Sequence, residues 1–274
     1  MTSSQPSYLP RFRELLCREN VPLAEAALNM SGHCQQANLS VGIGLERLDS
    51  LSREVPEASL DGVVQFLFGE LGFAGDDDNY FDSQNSYLDR VLERRLGIPI
   101  SLAVLTIEIA SRCDVLAHGV GMPGHFLILE AERPNRLIDP FRGEFISREE
   151  AERLFSYLNP TAEFLPDYLS PVDDVAILNR MLNNLRSIHS DGKSVSNLIP
   201  VLELLMCFDQ PRLDEVRQLA ALLDAQGKPD IAARQLEEVA DRNKGEYAQQ
   251  LHQLVTQLWR RLNCSPSLGF TFID

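Results

Sequence analysis

The chain has no cysteines at CxxC or CxxH spacing, no apolar run long enough to cross a bilayer and no stripe of basic side chains. Each lack removes a class of protein. Five scattered cysteines, Cys17, Cys34, Cys113, Cys207 and Cys264, an odd number in 274 residues, do not suggest a disulfide framework and are expected as reduced, mostly buried thiols. A membrane-spanning helix needs about 20 apolar residues, and Met1 to Pro10 lack the basic and then apolar run of a secretion leader. The cytoplasm is the expected compartment. Forty acidic residues against 25 basic ones give a formal net charge of -15, which repels phosphate backbones and anionic lipid. The short basic clusters, Glu93-Arg94-Arg95 and Arg260-Arg261, sit beside acids or close a helix. No direct nucleic-acid or membrane partner is expected.

A hydrophobic fraction of 44% is ample for a core, and the length suits one large or two ordinary domains. Residues 8–54 carry apolar positions at spacings of three and four, among them Phe12, Leu15, Leu23, Ala27 and Met30, which predicts two or three short amphipathic helices. The pattern continues over 60–71 until Gly69, Gly72, Gly75 and Asp76-Asp77-Asp78 break it. The acidic run fails as a calcium loop, because Tyr80 and Phe81 stand where a ligand and the turn glycine belong, so a solvated loop is expected. Gly42-Ile43-Gly44 and Gly119-Val120-Gly121 lack the strand, following helix and third glycine of a nucleotide-binding turn. No cofactor is expected. Nor do His33, His118, His189 and His252 offer metal-ligand spacing; the first and the last two belong on helical surfaces, and no metal is expected.

Residues 86–95 read as a helix, and Gly97-Ile98-Pro99 starts another, since proline suits the first helical turn. Ile100, Leu102, Ala103, Val104, Leu105, Ile107, Ile109 and Ala110 cover nearly every face of it, so this helix should be buried all round. The period then falls to two over 115–120, 125–129 and 137–139, which predicts antiparallel strands. Ser147-Arg148-Glu149-Glu150 is a capping-box start for a helix over 149–158, and the proline-spaced stretch 160–171 is the linker candidate. Amphipathic helices follow near 174–189, 195–208, 213–225 and 230–243, with another up to Leu262. Their alternation of small and large apolar residues is similar to paired tetratricopeptide helices, although no intact consensus repeats. A concave side of such an array would hold an unknown protein or peptide partner.

The hairpin places His125 at the start of one strand and Asp139 at the end of the next. With its turn centred near Glu132, the two lie opposite each other on one face. The aspartate would then fix the imidazole tautomer. A nucleophile would belong at the start of the buried helix, where free amides and the macrodipole favour a thiolate and can hold an oxyanion.

Gly97-Ile98-Pro99-Ile100-Ser101-Leu102, Pro123-Gly124-His125-Phe126-Leu127 and Asp139-Pro140-Phe141 occur in an order similar to the transglutaminase-like core. With Asn85-Ser86-Tyr87-Leu88 and Leu178-Asn179-Arg180-Met181-Leu182-Asn183-Asn184-Leu185, the chain resembles the bacterial SirB family from about Phe66 onward. The resemblance implies an α+β fold: a papain/transglutaminase-like core, with a buried central helix on a small antiparallel sheet and a helical N-terminal part, followed by an all-α tetratricopeptide-like region. The corresponding domains are 1–165 and 166–274. It maps the superfamily's His and Asp onto His125 and Asp139, and its Cys between Pro99 and Ser101, where there is no thiol. Cys113 lies at the other end of that helix, roughly 18 Å away at 1.5 Å per residue.

Two readings of Ser101 remain open. Either it serves as a nucleophile with His125 as base and Asp139 as orienter, giving a hydrolase or acyltransferase, or its hydroxyl completes the first helical turn. The missing thiol favours a catalytically silent interaction or regulatory protein with a vestigial pocket.

Overall fold

A computed structural model describes residues 7–190 and 195–264. Residues 1–6, part of the segment read as lacking a leader, and the side chain of Cys264 lie outside the described residues.

The N-terminal periodicity resolves into α1 (Tyr8–Leu16), α2 (Leu23–Gln35) and α3 (Val41–Glu54), with Phe12, Leu15, Ala27 and Met30 fully buried. Next, α4 (Leu60–Val64) runs directly into a wider π-helical turn over Gln65–Glu70. The chain leaves it through Gly72 at φ +72°, a conformation open to glycine without a steric penalty. Two very short strands follow, β1 (Ala74–Gly75) and β2 (Leu96–Gly97), paired in parallel on either side of α5 (Leu88–Arg94).

Gly97-Ile98-Pro99 opens α6 (Pro99–Arg112), which is the expected central helix. It packs on α2, α3 and α4 and also on two strands of the main sheet, so apolar residues are needed on most of its faces. The sheet contains β3 (Ala117–Val120), β4 (Leu127–Glu130), β5 (Arg136–Asp139) and β6 (Glu144–Ser147), antiparallel and in that spatial order. The edge strand β6 was not expected. Register also differs from expectation: Ile128 faces Ile138 and Leu129 faces Leu137, so the hairpin is centred at Arg133 and not Glu132. His125 consequently sits just before β4 and is not directly across from Asp139.

The capping box opens α7 (Arg148–Leu158) as read: the Ser147 amide donates to Glu150 Oε2 at 2.7 Å, and the Glu150 amide to Ser147 Oγ at 3.2 Å. Ala151 and Phe155 of α7 bury against Leu127, Leu129 and Leu137 of the sheet. Residues 160–171, the linker candidate, pack along this cluster. Phe164 and Tyr168 lie 5.5 and 5.2 Å from the Phe155 ring, Leu169 is buried, and Pro171 bridges Val120. Proline spacing gave that stretch its linker character, but its aromatic side chains tie it down. The helix α8 (Asp174–His189) follows, and the chain divides into compact units at Ile188/His189, later than the 165/166 boundary drawn from sequence.

The second unit contains α9 (Val195–Leu205), α10 (Leu213–Ala225), α11 (Pro229–Asp241) and α12 (Gly245–Cys264), close to the expected spans. Helix α10 packs on α9 and α11, and α11 on α12. His189 is buried, contrary to the surface position expected for it. The architecture is thus an α+β core followed by an all-helical region. Among the described residues, no helix is long and apolar enough to cross a membrane.

Candidate functional site

Ser101 is the third residue of α6 and is fully buried. Its Oγ accepts the Ile98 amide at 3.1 Å and donates to the Asn85 carbonyl at 2.5 Å. This is half of a capping box: the hydroxyl satisfies an amide at the helix entrance that would otherwise lack an intrahelical partner. Space around it is tight, because a Cβ added at Gly97 would stand 2.8 Å from that oxygen. No hydrogen bond joins Ser101 to His125 among the described residues.

Asn85 is equally buried and is held by a small polar network. Its Nδ2 donates to the Asn79 carbonyl at 2.8 Å, and its Oδ1 accepts from Arg94 Nη1 at 2.8 Å. Asp76 closes the network, accepting the Asn79 amide at 2.9 Å and pairing with Arg94 at 3.2 Å. Burial opposes its ionisation, but the bonds from the Asn79 amide, Asn85 and Arg94 outweigh it and hold the carboxyl below its ordinary value. The acidic run is therefore not wholly solvated: Asp77 and Asp78 are exposed, while Asp76 is built into the support of the α6 entrance. A single-sequence charge pattern does not distinguish the three.

His125 and Asp139 are brought together. Nε2 of His125 lies 2.9 Å from Oδ1 of Asp139, which also accepts the Phe141 amide at 3.0 Å. Asp139 is buried, and its acceptor-only oxygen sets Nε2 as the protonated nitrogen of the neutral ring. Nδ1 has no hydrogen-bond partner among the described residues. The loop before β4 is shaped by Gly124 at φ +81° and by Asn159, whose Nδ2 donates to the Pro123 carbonyl at 3.0 Å.

Sequence reasoning had treated Arg180 only as part of a motif. From α8 its Nη2 donates to the carbonyls of Met122 at 2.9 Å and His125 at 2.7 Å, with the guanidinium 5.4 Å from the Phe126 ring centre. Burial pulls its pKa below the ordinary arginine value, partly offset by the nearby Tyr80 phenol. Tyr80 in turn packs 5.8 Å from Phe141, and burial raises its own pKa. Cys113, at the far end of α6, points its Sγ at the Ser52 carbonyl, 3.6 Å away, and burial raises its pKa.

The family model for the transglutaminase-like superfamily matches residues 37–183, more than half of the chain, including Ser101, His125, Asp139 and Arg180. A UPF0162 protein of Xylella fastidiosa (strain 9a5c) is 37% identical over 187 residues, covering 63% of this chain and 66% of that one. A UPF0162 protein of Pseudomonas aeruginosa is 34% identical over 188 residues, covering 65% and 68%. Protein SirB1 of Salmonella typhimurium is 29% identical over 184 residues, covering 63% and 68%. The match spans just under two thirds of the Xylella protein's length. The chain belongs to the transglutaminase-like superfamily, and within it to the SirB family.

Proposed function

We propose that this is a non-catalytic transglutaminase-like protein, acting in interaction or regulation through a binding site at His125 and Asp139. Its C-terminal helices, in this reading, form a tetratricopeptide-like surface for a protein or peptide partner in the cytoplasm. The observation that carries the proposal is the commitment of the Ser101 hydroxyl to Asn85 and Ile98, in a helix turn that has no thiol. A serine nucleophile needs its proton directed at a base, and a buried hydroxyl donating to a backbone carbonyl is not so directed.

One observation favours a second reading. The His125–Asp139 pair has the geometry of a base and its orienter. A hydrolase or acyltransferase using Ser101 would require that side chain to leave Asn85 and reach His125. Turnover of activated acyl esters, measured for the wild type, Ser101→Ala and His125→Ala, separates the two readings. Rates indistinguishable among the three proteins are expected; a wild-type rate abolished in both variants contradicts the proposal.

A further inference from the structure

Several half-buried arginines of the first unit pair with acids. Arg94 pairs with Asp76, Arg112 with Glu108 and Asp49, and Arg136 with Asp61 and Glu130. Arg180 is also partly buried, yet no carboxylate pairs with it among the described residues. Its Nη2 is spent on the Met122 and His125 carbonyls, which leaves Nε–H and both Nη1–H bonds without an acceptor among the described residues. In a chain of formal charge -15, a partly buried cation without a paired acid is not explained by a shortage of acids.

Its surroundings suggest what would complete it. Arg180 lies against the backbone of His125, whose Nδ1 is unused, and within electrostatic reach of the Tyr80 phenol. Tyr80 is 38% exposed and Phe81 76% exposed, and Tyr80 packs 5.3 Å from Phe81 and 5.8 Å from Phe141. Exposed aromatic rings beside an unpaired cation suit a ligand with one negative charge and an apolar body. The lone guanidinium balances a single charge, whereas a dianion would be repelled by Asp139 and by the chain's net charge.

We propose that Arg180 is an anion-binding residue of the His125 site and that the ligand class is a monocarboxylate with an aromatic or apolar body. The inference rests on the binding reading of that site. The guanidinium would hold the carboxylate, with Tyr80, Phe81 and Phe141 against the body.

The test is a titration of the whole chain with benzoate at constant ionic strength, followed by the NMR signals of the His125 ring. Chloride and inorganic phosphate serve as separate arms. A saturable one-site shift with benzoate is expected, absent with chloride and at least about tenfold weaker with phosphate. Arg180→Gln keeps donors for the two carbonyls and should abolish saturation, while Phe81→Ala, a change at an exposed side chain, should weaken benzoate more than acetate. No saturation in the wild type, phosphate binding as tight as benzoate, or unchanged affinity in a folded Arg180→Gln would each overturn the assignment. If Arg180→Gln does not fold, the wild-type arms and Phe81→Ala decide. Ester turnover is scored separately: absence of both benzoate binding and turnover overturns only this inference, while binding accompanied by Ser101-dependent turnover overturns the non-catalytic reading and leaves the carboxylate site.

Discussion

Nε2 of His125 lies 2.9 Å from Oδ1 of Asp139, and the same oxygen receives the Phe141 amide at 3.0 Å. One buried carboxylate therefore orients the imidazole and closes the turn after β5. Neither role requires chemistry, and both explain why the pair is built with such close geometry.

Replacing Asp139 separates charge from shape. Asp139→Ala strands two N–H donors at a buried position and is expected to cost about 1–3 kcal/mol in denaturant unfolding. Asp139→Asn retains an acceptor oxygen and should cost less. In nitrogen-15 spectra, the wild-type imidazole should show protonated Nε2, a preference that Asp139→Ala loses.

Ser101 is treated as a structural cap. Ser101→Ala should lower stability by about 1–2 kcal/mol, since it leaves the Ile98 amide with one long contact to Asn85. Gly97→Ala should cost about 1–3 kcal/mol by pressing a methyl group against the Ser101 hydroxyl. Unfolding midpoints in urea check both.

The central helix, the capping box and the C-terminal helices were legible because each rests on local periodicity or a local start signal. Residues 99–112 are apolar on most faces, and Ser147 with Glu150 is a self-contained cap. What failed depended on tertiary context. A hairpin turn shifted by one residue moves His125 off the end of β4 while leaving the sequence pattern unchanged. The strands β1 and β2 have two residues each, too few for a period. Asp76 and His189 were misplaced because burial of one acid among three, or of one histidine on a helix, leaves no local signature. The His125–Asp139 pairing was readable from the resemblance; the Asn85 acceptor of Ser101 and the role of Arg180 were not, since each is a contact with a backbone carbonyl distant in sequence.

Acid should destabilise the α6 entrance through Asp76. Its folded pKa lies below the ordinary 3.8, so its contribution is complete above that value and lost as pH falls through the folded value. Asp76→Asn should therefore flatten the acid limb of the stability profile. At neutral pH it should cost about 1–3 kcal/mol, moderated by the solvent exposure of Arg94.

His189 acts in the same direction at higher pH. It is buried, its Nε2 has no hydrogen-bond partner among the described residues, and burial lowers its pKa from 6.5. The unfolded chain thus takes up this proton first: stability is complete above 6.5 and declines below it until the folded value is reached. His189→Leu should raise the unfolding midpoint more at about pH 5.5 than at about pH 8, as followed by circular dichroism.

Fluorophosphonate labelling followed by peptide mapping tests the central claim, that Ser101 is a helix cap and the His125–Asp139 site is non-catalytic. No adduct at Ser101 is expected in the native wild-type protein, with or without benzoate. Stoichiometric labelling at Ser101 that disappears in both Ser101→Ala and His125→Ala would contradict it.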